Sequence, residues 1–266
     1  MAVTIIPRWN LDLGNINNYL DKLLLGVVIP TNQRGRPYKR KPTQYIKLLV
    51  LKELYTCSLR KAEYLLTDHI DHSVIHFWEK RLSIEFIENL VKQLAKKIKI
   101  PYDFSFVDST KFSTWNSNVV EIHTLVRISN QTLYPVSIFF GSVSPSKAVS
   151  SVLVSGRGNL LADRWYDDNK SFKIIMSKGY TPIIKSHKRR DSGYWRKKAR
   201  KVYDNKIYRQ RGRGESLYGS LTNEFGDRLK TSLLETTVTR IGFRFIVYLV
   251  KLYMRQSSYT VILVIY

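Results

Sequence analysis

A chain of 266 residues with 44% hydrophobic and 12% aromatic side chains can bury a sizeable core, which excludes a disordered basic tail. Its 44 Lys and Arg against 21 Asp and Glu give a formal net charge of +23, so a polyphosphate such as nucleic acid ranks ahead of an anionic membrane as partner. The single cysteine, Cys57, excludes an internal disulfide and a cysteine-built zinc site and suits a reducing cytoplasm, and the start MAVTIIPRWNLDLG lacks the pattern of a secretion signal.

Residues from about Asn10 to Lys99 carry helical periodicity in YIKLLVLKELY, SLRKAEYLL, SVIHFWEKRL and IEFIENLVKQLAKKI, which predicts a small helical, DNA-binding domain over residues 1–100. The second and third segments, joined by TDHIDH, have the spacing of a helix-turn-helix. Ser73 would be the N-cap, and His72, His76, Glu79, Lys80 and Arg81 would form the polar face. A helical hairpin that only packs on the rest fits equally well. His69, His72 and His76 fall at helical spacing, but a turn at Asp68 to Asp71 would break their shared face, so polar surface is expected there rather than a metal site. Within RGRPYKRKP, Arg34 and Arg36 flank a glycine, a strip slim enough for a narrow minor groove and equally suited to a solvated linker.

After Pro101 the pattern changes. YDFSFVDST, EIHTLVRIS and LYPVSIFFGS predict three consecutive strands, the last two a hairpin through NQT. A strand ending at Asp163, a helix over residues 168–178 and the strand TPIIKS follow. This alternation predicts an α/β fold with a mixed five-stranded sheet over residues 101–255, with 256–266 as a tail. From Lys185 to Arg213, thirteen Lys and Arg face two Asp and interleave with Tyr194, Trp195, Tyr203 and Tyr208. That mixture favours a nucleic-acid groove, with Lys188, Arg189 and Arg190 as phosphate contacts. IGFRFIVYLVKLYM and YTVILVIY are too short or too charged to span a bilayer, so no membrane is expected.

Three carboxylates stand out against the basic background. Asp108 ends the first strand, Asp163 ends the fourth, and Glu215 opens the helix ESLYGSLTNEFGDRL. Ends of adjacent strands in an open α/β sheet converge on one edge, and a facing helix can bring in Glu215. Clustered carboxylates repel unless neutralised, and hard oxygen ligands suit Mg²⁺ or Mn²⁺. Two such ions about 4 Å apart serve in-line phosphoryl displacement, the chemistry a basic DNA groove needs. Asp167 and Asp168 read as the N-cap region of the following helix.

In these motifs the chain resembles the DDE transposases of bacterial and archaeal insertion sequences, from about Arg34 to Gly242. FVDST looks like the family's first-Asp strand, LLADRWYDD like its second-Asp motif, and YRQRGRGESLYGSLTNEFGDRL like its Glu helix. A subgroup signature of Tyr, two residues, Arg, three residues, Glu, six residues and Lys is met by Tyr208, Arg211 and Glu215, with Thr222 at the Lys position. The resemblance implies a ribonuclease-H-like catalytic core behind the helical domain, with Asp108, Asp163 and Glu215 catalytic and metal-holding. It also implies double-stranded DNA, both element ends and target, as substrate, and a homodimer or larger synaptic complex. A nuclease of the same fold without strand transfer, or a decayed transposase that only binds DNA, are the rival readings.

At 100° per residue, offsets of three, seven and fourteen residues fall within an arc of about 60°, so Tyr208, Arg211, Glu215 and Thr222 would share a helical stripe. Gly212 and Gly214 weaken a continuous helix and leave a loop as the alternative route for Tyr208 and Arg211. Leu217, Leu221, Phe225 and Leu229 would form an apolar stripe beside that face.

Overall fold

The computed structural model describes residues 13–29, 38–66, 69–129, 132–187 and 192–263. Arg34, Arg36, Lys188, Arg189 and Arg190 lie outside the described residues.

The first part is helical: α1 (Leu13–Leu24), α2 (Pro42–Leu54), α3 (Leu59–Ala62), α4 (His72–Arg81) and α5 (Ile84–Lys96). In α5, Ser83 accepts from the Phe86 amide as N-cap, and Phe86, Ile87, Leu90, Val91 and Leu94 form the buried stripe that helical spacing predicts. The helix expected over SLRKAEYLL is only the single turn α3. The N-cap of α4 is Asp71 rather than Ser73, since its carboxylate accepts from the Ser73 amide at 2.8 Å. Glu79, expected on the polar face of α4, is instead buried, 2.8 Å from the Arg240 guanidinium and 3.1 Å from the Lys52 ammonium. Two cations from other elements make that burial tolerable, which α4 alone could not signal.

The second part is α/β. Strands β1 (Phe104–Thr114), β2 (Val119–Ile128) and β3 (Leu133–Phe140) precede α6 (Pro145–Val152), β4 (Asn159–Ala162), α7 (Asn169–Ser177) and β5 (Thr181–Ile184). Then come α8 (Tyr194–Lys201), α9 (Asn205–Tyr208), α10 (Arg211–Phe225), β6 (Arg228–Leu229) and α11 (Leu234–Leu263). The five expected strands form one mixed sheet in the order β3-β2-β1-β4-β5, and β6 joins the far end of β1 as a sixth. β1, β2 and β3 are antiparallel neighbours, while β4 and β5 run parallel to β1.

The helix α11 packs on α2, α4 and α5 as well as on β3, so the apolar cluster runs continuously from the helical part into the sheet. A β-carbon on Gly242 would lie 2.1 Å from the Ile87 side chain, which shows how closely α11 approaches α5. The helical backbone continues to Leu263, through residues expected to form a tail. No helix among the described residues is long and apolar enough to cross a membrane.

Candidate active site

Parallel pairing of β1 and β4 stops at Val107 and Ala162, so Asp108, within β1, and Asp163, just after β4, are the next residues in register. Beyond that level β1 continues only against β2 until it meets β6, and the sheet opens between the two carboxylates. This is the crevice at strand C-termini where open α/β sheets place their sites. Asp163 precedes a one-turn helix over Arg164–Tyr166 but makes no side-chain cap, which leaves its carboxylate for other partners.

Helix α10 closes the site from above. It runs unbroken through Gly212 and Gly214, so Arg211 belongs to the same helix as Glu215, while Tyr208 ends the separate turn α9. Gly214 lies on Phe106 so closely that a β-carbon there would stand 2.1 Å from the ring. Side chains alternate along a strand, so Phe106 and Asp108 both face α10. One turn beyond Gly214, the Tyr218 hydroxyl donates to the Asp108 carbonyl at 3.1 Å and fixes the helix against β1.

Arg211 holds the constellation together. Its guanidinium donates to the Asp163 carboxylate at 2.9 Å, to the Glu215 carboxylate, and to the Tyr208 hydroxyl at 3.5 Å. Burial works against the charge of Arg211, yet the bonds to Tyr208 and Glu215 and the charge of Asp163 keep it firmly protonated. Asp108 receives no such direct bond. Burial pushes its carboxyl up to about 6, against the pull of the Ser109 amide and Arg211 and with the help of Glu215 and Asp163.

Arg211 therefore bridges Asp163 and Glu215, while Asp108 interacts with all three through charge alone. Among the described residues the only His, Cys, Asp and Glu trio with ligand atoms mutually within 4.8 Å is Glu63, Asp71 and His72. Those groups are engaged in starting α4: Glu63 accepts from the His72 amide at 2.7 Å and pairs with its imidazole, while Asp71 caps the helix. At this end of the sheet the groups offered are all carboxylates: one guanidinium bonds two of them, and Asp108 lies within electrostatic reach of all three partners. Such a set fits a hard divalent cation, which would supply the positive charge that Arg211 alone does not.

Thr222 does not extend this set. Its hydroxyl is spent inside α10, donating to the carbonyls of Tyr218 and Gly219, each at 3.1 Å. Asp168 is the N-cap of α7, accepting from the Ser171 amide at 3.2 Å, as expected. Asp167 has another task. Fully buried, it accepts from the Arg196 guanidinium at 2.7 Å and from the His187 amide at 2.7 Å, and its carbonyl accepts a second Arg196 bond at 2.9 Å. This pair ties basic helix α8 to the strand end that carries Asp163. Replacing Arg196 with Met should strand a buried carboxylate and cost about 3–5 kcal/mol, read as a lower denaturant midpoint.

Sequence reasoning missed Tyr218, Gly214 and the Asp167–Arg196 pair. The first two sit on the turn around Glu215, where period-3.6 spacing from Arg211 could have placed Tyr218 near the sheet. Neither the models of known protein families nor the sequences of curated proteins give a match to this chain.

Proposed function

We propose that this chain is a DNA transposase whose ribonuclease-H-like core cuts and joins phosphodiesters at Asp108, Asp163 and Glu215. The observation that carries the reading is that Arg211 bridges Asp163, at the end of β4, to Glu215 of α10, with Asp108 of β1 within electrostatic reach of all three, where pairing of the two parallel strands stops. A sheet of three antiparallel strands extended by two parallel ones supports the core assignment. The formal charge of +23 supports DNA as the substrate.

In this reading Asp108, Asp163 and Glu215 would hold two Mg²⁺ or Mn²⁺ ions, which when bound activate a hydroxyl nucleophile and stabilise the leaving oxygen. The chain's own groups do the positioning. Arg211, planar and permanently charged, can exchange a carboxylate for a phosphate oxygen as DNA arrives, with Tyr208 beside it as a further hydrogen-bond partner. Tyr218 and Gly214 keep Glu215 and Arg211 in register with β1. A homodimer or larger synaptic complex in the cytoplasm would bring two DNA ends together.

The test is metal-dependent cleavage of duplex DNA. Asp163→Asn and Glu215→Gln should each lower single-turnover cleavage by on the order of a thousandfold or more while leaving DNA affinity nearly unchanged. Turnover retained in either variant removes that residue from the site. Supplying a 3′-hydroxyl donor end separates strand transfer from plain hydrolysis.

A second reading, a protein that binds DNA without cutting it, is favoured by one observation. Arg211 already bridges Asp163 and Glu215, and Thr222 offers no cation at the position where the signature has lysine. Wild-type protein inert with both Mg²⁺ and Mn²⁺ would decide for it.

A further inference from the structure

Away from the carboxylates, a cleft of about 720 Å³ opens between the helical part and the far end of α10. Six cations line it: Lys52 from α2, Arg60 from α3, Arg228 from β6, Lys230 just after it, and Arg240 and Arg244 from α11. The acid that lines it is Glu53, with Glu79 behind. We infer that this cleft is a second DNA-backbone site, which grips phosphates of the duplex outside the reacting segment. Its ligand is the DNA of the proposed function, so the role of the cleft rests on that reading.

The cleft is built in two tiers. At the floor two cations meet acids: Lys52 pairs with Glu53 at 2.6 Å and Glu79 at 3.1 Å, and Arg240 pairs with Glu79 at 2.8 Å. Arg244 donates to the carbonyls of Gly226 and Phe225 at 2.9 and 3.0 Å, yet its Nε is buried with no partner. At the mouth, Arg60, Arg228 and Lys230 are exposed, and Arg60 and Arg228 have no ion-pair partner among the described residues. Free cations at the mouth, above a floor where Lys52 and Arg240 are paired with acids and Arg244 is not, suit a polyanion better than a buried neutral molecule. Lys230 also lies over the exposed ring of Trp115, 5.4 Å from its centroid, and an aromatic beside cations is a recurrent partner of nucleic acid.

The cleft and the candidate active site occupy opposite ends of one helix. Glu215 stands near the start of α10 and Phe225 ends it, and ten residues at 1.5 Å each separate them by roughly 15 Å. At about 3.4 Å per base pair that is four to five pairs, so one duplex could engage both. Thr56 at the rim helps shape the space. Its φ of 47° is rare for a β-branched residue and turns the chain sharply from α2 toward α3.

The experiment titrates a duplex of about 30 base pairs by fluorescence anisotropy across a range of KCl. It compares wild type, a mouth variant (Arg60→Gln, Arg228→Gln, Lys230→Gln) and a control with equal charge loss elsewhere (Lys96→Gln, Lys99→Gln, Lys173→Gln). The mouth variant should lower the slope of log affinity against log salt by about 2 to 3 and weaken binding on the order of a hundredfold at 0.15 M salt, with the control nearly unchanged. A charge-keeping variant (Arg60→Lys, Arg228→Lys, Lys230→Arg) should restore the slope, which a merely misfolded cleft would not. A mouth variant whose slope matches wild type, or falls no further than the control, overturns the inference. If wild type cleaves DNA but the mouth variant keeps its slope, the cleft fails alone. If the slope falls but no metal supports cleavage, the catalytic reading fails and the cleft stands.

Discussion

Asp108→Asn should yield a protein that cleaves no DNA and yet melts at a higher temperature than wild type at pH 7.5. The carboxyl of Asp108 is raised to about 6, first by burial and then by the charges of Glu215 and Asp163, with the Ser109 amide and Arg211 pulling the other way. In the unfolded chain an aspartate titrates near 3.9, so above pH ~6 the group is ionised in both states and the fold carries a buried charge costing on the order of 3 kcal/mol. Below about pH 4 it is protonated in both states and the cost disappears, so this group adds stability as pH falls through the window from 6 to 4. Asparagine removes the charge. At roughly 2–4 °C per kcal/mol, the variant should melt several degrees higher at pH 7.5 and level with wild type near pH 4. If the proposed site takes metal, Mg²⁺ should narrow the gap by stabilising wild type more than the variant, which lacks one of the three carboxylates. Equal melting temperatures at pH 7.5 would show that Asp108 is not held at a charge cost in the folded protein.

That cost explains which parts of the site were legible in sequence. Asp108 and Asp163 could be found because each follows an apolar run, although only Asp163 stands at a strand end: β1 continues past Asp108 to Thr114 instead of ending there as expected. Their adjacency could be expected from the α/β pattern, and the matched register of Val107 with Ala162 is what places them side by side. Arg211 was visible as a residue type at a useful spacing, but its role as a bridge depends on Asp163, forty-eight positions away. Asp167 was misread as part of a cap because a carboxylate next to a helix start usually is one; its partner Arg196 lies in a basic run where no single arginine stands out. The basic cleft was invisible for the same reason. Its walls come from residues 52–60, His72 and residues 225–244, each of ordinary composition, and α11 packing on α2 and α4 brings them together.

The two glycines of α10 illustrate how packing overrides local propensity, and they separate cleanly under mutation. Both weaken a helix, and replacing a helical glycine with alanine ordinarily gains about 1 kcal/mol. At Gly212 a β-carbon would meet nothing within 4 Å, so Gly212→Ala should follow the rule and raise stability by about 0.5–1 kcal/mol with cleavage unchanged. At Gly214 the same β-carbon would stand 2.1 Å from Cδ1 of Phe106, a fully buried ring in the middle of the sheet. Neither partner can yield cheaply, and overpacking of this kind costs about 1–3 kcal/mol, which outweighs the helical gain. The easiest relief is for α10 to lift from β1, carrying Arg211 and Glu215 with it and stretching the Tyr218 bond to the Asp108 carbonyl. A displacement of about 1 Å at a reacting centre can cost a hundredfold in rate. Gly214→Ala should therefore be both less stable in urea and about a hundredfold slower in single-turnover cleavage, whereas Gly212→Ala should be neither. A Gly214→Ala protein as stable and as fast as its Gly212 counterpart would mean that α10 does not rest on Phe106, and the carboxylate of Glu215 would lose the contact that positions it over the strand ends.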